Sequence, residues 1–316
     1  MKQVFLLLAV VSLLPFLVFE GALRVTAPLK KQVGVNRSDK DRKRDINIQG
    51  VRASGLVPSR FNGFRILALG DSFTSGLALK NQNTWPKQTE RELLKNFDNI
   101  EVLNGAKPGL DTTRELRRFR EKQAALNPDL VVVGFLINDC TRLCSNCGPV
   151  KVKKRVDNLI SNPRGLDEHL YIFRYLHVGF LKRTLTEQTI SAHLEPYQME
   201  SSAYKECTQA FKDFKDLSTR SNFKLAVIIY PMLFRLDEDY PFTAAHKKIM
   251  AYLESLDIAV HDLSPAFFGH KDTSLWVKPY DSHPNAKANR IAASAAVPFI
   301  SQFIPERFKK APLSQS

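Results

Sequence analysis

An apolar run, Ile66-Leu67-Ala68-Leu69, closes on Gly70-Asp71-Ser72, and helical sequence follows it. A serine in a tight turn after a strand stands exposed at the strand's C-terminal edge. The backbone N–H groups beyond the turn then face whatever the hydroxyl attacks. Near the other end of the chain stands Asp281-Ser282-His283-Pro284. A serine hydroxyl is a weak nucleophile until a base takes its proton, and a carboxylate must orient that base. His283 and Asp281 can supply both to Ser72. Two further polar clusters follow apolar runs: Gly134-Phe135-Leu136-Ile137-Asn138-Asp139, and Asn104-Gly105-Ala106-Lys107-Pro108-Gly109-Leu110-Asp111-Thr112 after Val102-Leu103. Singly, each is ordinary turn chemistry, because Asp, Ser, Asn and Gly suit turns for backbone reasons. Together and in this order they point to nucleophilic serine catalysis.

These clusters need elements that bring them together. Short runs rich in Val, Ile and Leu predict buried strands at Phe64–Leu69, Ile100–Leu103, Leu130–Ile137, Phe223–Tyr230 and Ile258–His261. Helical stretches lie between and after them at Trp85–Asn96, Thr113–Leu126, Ser202–Thr219, Ala244–Leu256 and Asn285–Phe303. The alternation predicts an α/β fold, a three-layer α/β/α sandwich around a mostly parallel five-stranded sheet. In such a sheet the C-terminal strand ends open on one crevice, where Ser72, the Gly-rich turn, Asn138 and His283 converge. Asp281 and His283 are expected at the mouth of the last helix. Residues 140–197 interrupt the alternation and carry Tyr171, Phe173, Tyr175, Phe180 and Leu181 among basic residues. They read as an insert that either packs on the surface or folds over the crevice as a lid.

From about Phe64 to Phe303 the order of these blocks resembles the SGNH (GDSL-like) hydrolase family, in particular its membrane-anchored bacterial esterase-type members. The resemblance implies a flavodoxin-like fold, Ser72 as nucleophile and His283 as base. Asp281-Ser282-His283-Pro284-Asn285 is similar to the Asp-Gly-His-Pro-Asn of many members and assigns the orienting carboxylate to Asp281. The commoner family spacing falls on Tyr280, which is no acid. The resemblance also implies an oxyanion hole made of the Ser72 backbone N–H, a glycine and an asparagine side chain. Gly109 fits the glycine position, with Gly105 as the alternative, and Asn138 fits the asparagine. The family's usual glycine two residues before that asparagine is Leu136 here.

The ends and composition bound where this chemistry takes place. Gln3 to Phe19 carry no charge and are dominated by Leu, Val and Phe. The run is longer than a signal-peptide core and close to the lower limit of a spanning helix. Residues 1–24 are therefore expected to be an N-terminal membrane anchor, or alternatively a signal peptide whose cleavage frees a secreted enzyme. Residues 25–62 form a basic linker or wrapping arm, 63–305 the hydrolase domain and 306–316 a C-terminal tail. The expected location is membrane-anchored, with the catalytic domain outside the cytoplasm in the periplasm or cell envelope. The basic residues that follow the apolar run point the other way, because positive charge favours the cytoplasmic side.

Formal net charge is +14 across 316 residues, which suits a solvated surface or attraction to anionic lipid and acidic polysaccharide. No nucleic-acid reader pattern accompanies it. Cys140, Cys144 and Cys147 crowd one segment and Cys207 stands apart. One or two disulfides are expected in an exported chain, with the pairing open. Cys140, Cys144 and Cys147 could bind zinc only if a fourth ligand arrived, such as Cys207 or a histidine; the serine chemistry needs none, and no metal and no cofactor is expected. The functional expectation is a serine esterase acting on O-acyl groups of an envelope glycan, a lipid or a small ester. The alternatives are an O-acyltransferase of envelope polysaccharide using the same residues, and a non-catalytic, membrane-tethered glycan- or lipid-binding module.

Overall fold

Five apolar segments become strands: β1 (Phe64–Gly70), β2 (Ile100–Asn104), β3 (Leu130–Leu136), β4 (Lys224–Tyr230) and β5 (Ala259–Asp262). The computed structural model describes residues 15–26, 46–141, 148–278 and 281–311. All pairings in the five-stranded sheet are parallel, in the order β2-β1-β3-β4-β5. β1 and β3 are buried at every position, as strands must be when helices cover both faces. The strand order reverses between β1 and β3. In open α/β sheets the crevice beyond that switch point is where ligands bind, and Ser72 follows β1 while Asn138 follows β3.

Among the described residues, besides a helix over residues 15–26, the helices are α1 (Ser72–Ser75), α2 (Trp85–Leu93), α3 (Thr112–Arg118), α4 (Gly148–Ser161), α5 (Leu166–His169), α6 (Tyr171–Met199), α7 (Ser202–Ser221), α8 (Thr243–Ser255) and α9 (Ala286–Ser301). α2 packs on α9 and α3 on α7, giving helical layers on the sheet. Ala288, Ala292, Ala293 and Ala296 are fully buried along α9, and their small side chains let α2 approach closely. Asn289 Oδ1 accepts from Trp85 N–H at 2.8 Å and joins the two helices.

The helix expected over Thr113–Leu126 changes character halfway. α3 gives way to a widened turn at Phe119–Gln123 and a tight one at Ala124–Leu126. Gln123 sits at the widened turn: fully buried, it donates through Nε2 to Gly50 O at 2.9 Å and Gly105 O at 2.8 Å.

Residues 46–62 are integrated with the sheet domain. Val51 is fully buried, and Arg52 N–H donates to Asn104 O at 2.8 Å, next to the end of β2. The chain divides into two compact units, one of residues 34–142 and 193–316, the other of residues 1–33 and 143–192. The second unit thus groups the N-terminal segment with the middle of the insert. Its core is Val156, Val178 and Leu181. Residues 15–26 are helical, and Glu20, which is buried, accepts from the N–H groups of Tyr171 and Ile172. Those are otherwise orphaned donors at the start of α6. Most of the expected anchor, residues 1–14, lies outside the described residues. Among the described residues no helix is long and apolar enough to cross a membrane.

Candidate active site

The Gly-Asp-Ser turn is set by close packing at the end of the sheet. Gly70 pairs with Gly134 across β1 and β3, and Thr74 of α1 lies over both. A Cβ on Gly134 would meet Thr74 Oγ1 at 2.2 Å, and one on Gly70, whose φ is +146°, at 2.3 Å. Asp71 caps α1 by accepting from Phe73 N–H at 2.8 Å. Arg52 donates to Ser75 O at 2.5 Å and Leu79 O at 3.0 Å, securing the chain that follows. Ser72 is half-buried, so its hydroxyl stands at the surface of a rigid support.

Asp281 and His283 arrive differently from the expectation. They lie in a short strand, β7 (Asp281–Pro284), paired antiparallel with β6 (Trp276–Lys278), and α9 begins only after Asn285. A strand places residues two apart on one face, so both side chains project to the same side. Asn285 holds this hairpin against the helix: its Nδ2 donates to Ser274 O at 2.9 Å and Trp276 O at 3.1 Å, while its Oδ1 caps α9. His283 Nε2 is 3.0 Å from Ser72 Oγ, and Nδ1 is 2.5 Å from Asp281 Oδ1. The His283 and Asp281 side chains are 30% and 10% exposed, so the imidazole is the more solvent-accessible of the pair.

The two candidate glycines separate cleanly. Gly105 is buried, and a Cβ there would meet Gln123 Nε2 at 2.7 Å and Leu67 Cδ1 at 2.9 Å, so close packing accounts for it. Gly109 is exposed at φ +77° with open space above its Cα. Its loop is held beside β1 by Lys107 N–H donating to Gly70 O at 3.0 Å. Asn138 lies in a four-residue turn, Ile137–Cys140, directly beyond β3. Its Nδ2 donates to Asp71 Oδ2 at 3.4 Å, and the same carboxylate oxygen lies 3.4 Å from Ser72 Oγ. The structure therefore brings together Ser72, Asp281, His283 and Asn138, with the Gly109 loop at the end of β1.

The profile of the GDSL-like Lipase/Acylhydrolase family matches residues 68–291. The chain belongs to this family. It is 31% identical over 78 residues to an arylesterase from Vibrio mimicus, a stretch that is 25% of this chain and 39% of that protein. Among solved structures it is similar to a catalytic mutant of an acetylxylan esterase from Geobacillus stearothermophilus, at 15% identity over 78% of this chain and 96% of the other, TM-score 0.46. The psychrotrophic esterase EstA from Pseudoalteromonas is similar at 15% identity over 76% and 97% of the two chains, TM-score 0.42.

The carboxyl groups around this GDSL-family site fall into two electrostatic classes. Burial is the largest influence on Asp281 and pushes its carboxyl up. The hydrogen bond and charge of His283, the His283 N–H and Lys278 outweigh it and hold Asp281 below its ordinary range. Asp71 goes the other way: burial raises it despite the donors from Phe73 and Asn138. Glu115 and Asp139 are buried and lie well above the ordinary range, first through burial, then through Asp71 and Asp111 for Glu115 and through Glu115 and Asp71 for Asp139. Neither Glu115 oxygen has a hydrogen-bond partner. Environments that drive neighbouring acids apart assign roles, and here Asp281 is the carboxylate that stays ionised beside His283.

Cys140 pairs with Cys207, joining the Asn138 turn to α7; Cys144 and Cys147 lie outside the described residues. Among the described residues no group of His, Cys, Asp and Glu is placed to hold a metal. Sequence reasoning missed the buried acids Glu115 and Asp139, and it missed Thr141, His193 and Tyr197, which all reach the Asn138 turn. Asp139 and Thr141, next to the Asn138 motif, were the available signal; nothing local marks the other three.

Proposed function

We propose that the chain is a serine esterase that hydrolyses carboxylic O-acyl esters through an acyl-enzyme on Ser72. The observation that carries this reading is His283, bonded on one side to Ser72 Oγ at 3.0 Å and on the other to Asp281 Oδ1 at 2.5 Å. Ionised Asp281 accepts a hydrogen bond from His283 Nδ1–H, which leaves the Nε2 lone pair facing the serine hydroxyl. Ser72 Oγ attacks the ester carbonyl as its proton passes to Nε2. The tetrahedral oxyanion is held by the Ser72 N–H, the Gly109 N–H and one Asn138 Nδ2 proton, the other being directed at Asp71. Nε2–H then protonates the departing alcohol. Water, activated by the same nitrogen, hydrolyses the acyl-enzyme and restores Ser72.

The substrate class we infer is an O-acylated glycan or lipid of the cell envelope. Support comes from the net charge of +14, which attracts anionic polymers and headgroups, and from the uncharged run Gln3–Phe19, which suits attachment to a membrane with the site outside the cytoplasm.

The full chain, made in an oxidising compartment, is assayed for p-nitrophenol release from acetyl, butyryl and octanoyl esters beside Ser72→Ala, with fluorophosphonate labelling of both. Turnover and labelling that vanish in the variant are the expected result, and the chain-length preference separates glycan deacylation from lipid cleavage. A folded protein that neither turns over nor labels sinks the reading in favour of a binding module. Labelling at Ser72 without release to water replaces hydrolysis by acyl transfer to a sugar hydroxyl.

A further inference from the structure

Asn138 does not fix its own side chain. Its Oδ1 is buried without a partner, and its single contact through Nδ2 is a long one of 3.4 Å. The direction of the amide is therefore set by the backbone of the Ile137–Cys140 turn, and that backbone is held from outside at each residue. Tyr197 Oη donates to Ile137 O at 2.9 Å. Asn138 O accepts from Thr141 Oγ1 at 2.8 Å, and Thr141 Oγ1 lies 3.3 Å from His193 Nδ1. Asp139 Oδ2 accepts from Leu136 N–H and Thr112 Oγ1, each at 3.4 Å. Cys140 is bonded to Cys207.

The carbonyls of Ile137 and Asn138 belong to the two peptide planes that flank the Asn138 Cα. Holding both restrains φ and ψ at that residue and with them the Cα–Cβ direction from which its amide extends. The Asn138 carbonyl also accepts from Thr141 N–H at 3.0 Å, and the last turns of α6, residues 193–199, add a side-chain restraint at each carbonyl, one directly and one through the Thr141 hydroxyl. Thr141 has one hydroxyl proton and uses it on Asn138 O, so the His193 contact is a donation from Nδ1–H. His193 is buried and held neutral at ordinary pH, which makes a single tautomer the working one. Tyr197 is buried with its ring edge-on to Tyr204 at 5.4 Å, so its hydroxyl has no freedom to find another partner.

We propose that Tyr197 and the His193–Thr141 pair are positioning residues for the oxyanion donor: by pinning the two carbonyls around Asn138 they aim its amide at the tetrahedral intermediate. The inference rests on the reading of Asn138 as that donor. Pre-aligned donors stabilise an oxyanion without reorganising during the reaction, so a loosened Asn138 costs turnover and leaves ground-state binding intact.

The test is a double-mutant cycle on p-nitrophenyl ester hydrolysis by the full chain, using Tyr197→Phe, Thr141→Val and Asn138→Ala, with thermal melts as the check on folding. Each positioning variant is expected to lower kcat about tenfold with KM within about twofold, less than the roughly 10²–10³-fold lost with the donor itself. In the Asn138→Ala background the same changes are expected to have no further effect, because the donor they aim is gone. Thr141→Ser, which keeps the hydroxyl, is expected to restore kcat. Unchanged kcat in both variants overturns the proposal, as does a loss that persists undiminished without Asn138. Asn138→Ala at wild-type turnover beside inactive Ser72→Ala fails the donor reading itself, a different result from either. Should Tyr197→Phe not fold, the Thr141 series, at a half-buried position, decides alone.

Discussion

His283 serves Ser72 and Asp281 at once because its two ring nitrogens face different partners across a short strand. The Asp281 carboxyl is held low by its surroundings; Asp71, the serine's immediate neighbour in sequence, is held high by burial. Asp281→Asn keeps the shape but offers His283 an amide, which favours the wrong tautomer. We expect kcat to fall about 10⁴-fold with little change in KM, and fluorophosphonate labelling of Ser72 to slow in parallel. Steady-state kinetics of Asp281→Asn beside Asp71→Asn check this; a larger loss at Asp71 would reverse the assignment. The pair Asp281 and His283 was legible as residues. Its geometry was not, because a helix mouth and a hairpin strand are compatible with the same five letters, and only pairing with Trp276–Lys278 selects the strand.

The elements were legible where burial is uniform. β3 is a continuous apolar run and β1 is one but for Arg65, and their ends fall within a residue of the positions the pattern predicts. Legibility failed where a polar side chain turns inward, as Gln123 does at the widened turn after α3. His193 on α6 is a second such case, and it has a consequence for stability. Burial holds His193 down to about 4, against 6.5 for an unperturbed imidazole. The unfolded chain therefore binds a proton between those values that the folded chain refuses. The stability contributed by neutral His193 is fully present above pH 6.5 and is lost as pH falls toward 4. The loss is about 3 kcal/mol across that window. Urea unfolding between pH 7 and pH 4 should show this slope, and His193→Gln should flatten it; an equal slope in the variant would assign the effect to other groups.

On the scale of the molecule, one covalent link ties the Asn138 turn to α7. Cys140 and Cys207 are 67 residues apart in sequence, so the bond closes a long loop. Restricting the unfolded chain in this way contributes about 4 kcal/mol in the loop-entropy picture, at the upper end of what such bonds deliver. Dithiothreitol, or Cys207→Ala, should lower the unfolding free energy by about 2–4 kcal/mol in urea titrations; unchanged midpoints would mean that strain or residual structure cancels the gain. The N-terminal segment shows the same dependence on distant partners. Glu20 and Arg24 look like any pair one turn apart, yet Glu20 caps the start of α6 and Arg24 donates to His169 O at 3.1 Å.

Local chemistry and periodicity sufficed for the class of fold and marked Ser72, Asn138, Asp281 and His283 as candidates, because strand burial and turn preference act between near neighbours, while the order of the motifs carried the resemblance to the family. The close packing at Gly105 and the open exposure of Gly109, the pairing of Cys140 with Cys207, the hairpin under His283 and the contacts of His193 and Tyr197 with the Asn138 turn came only with the folded chain. Each depends on groups far apart in sequence whose meeting is decided by packing of the whole, where one residue type can satisfy many environments and only three-dimensional proximity selects among them.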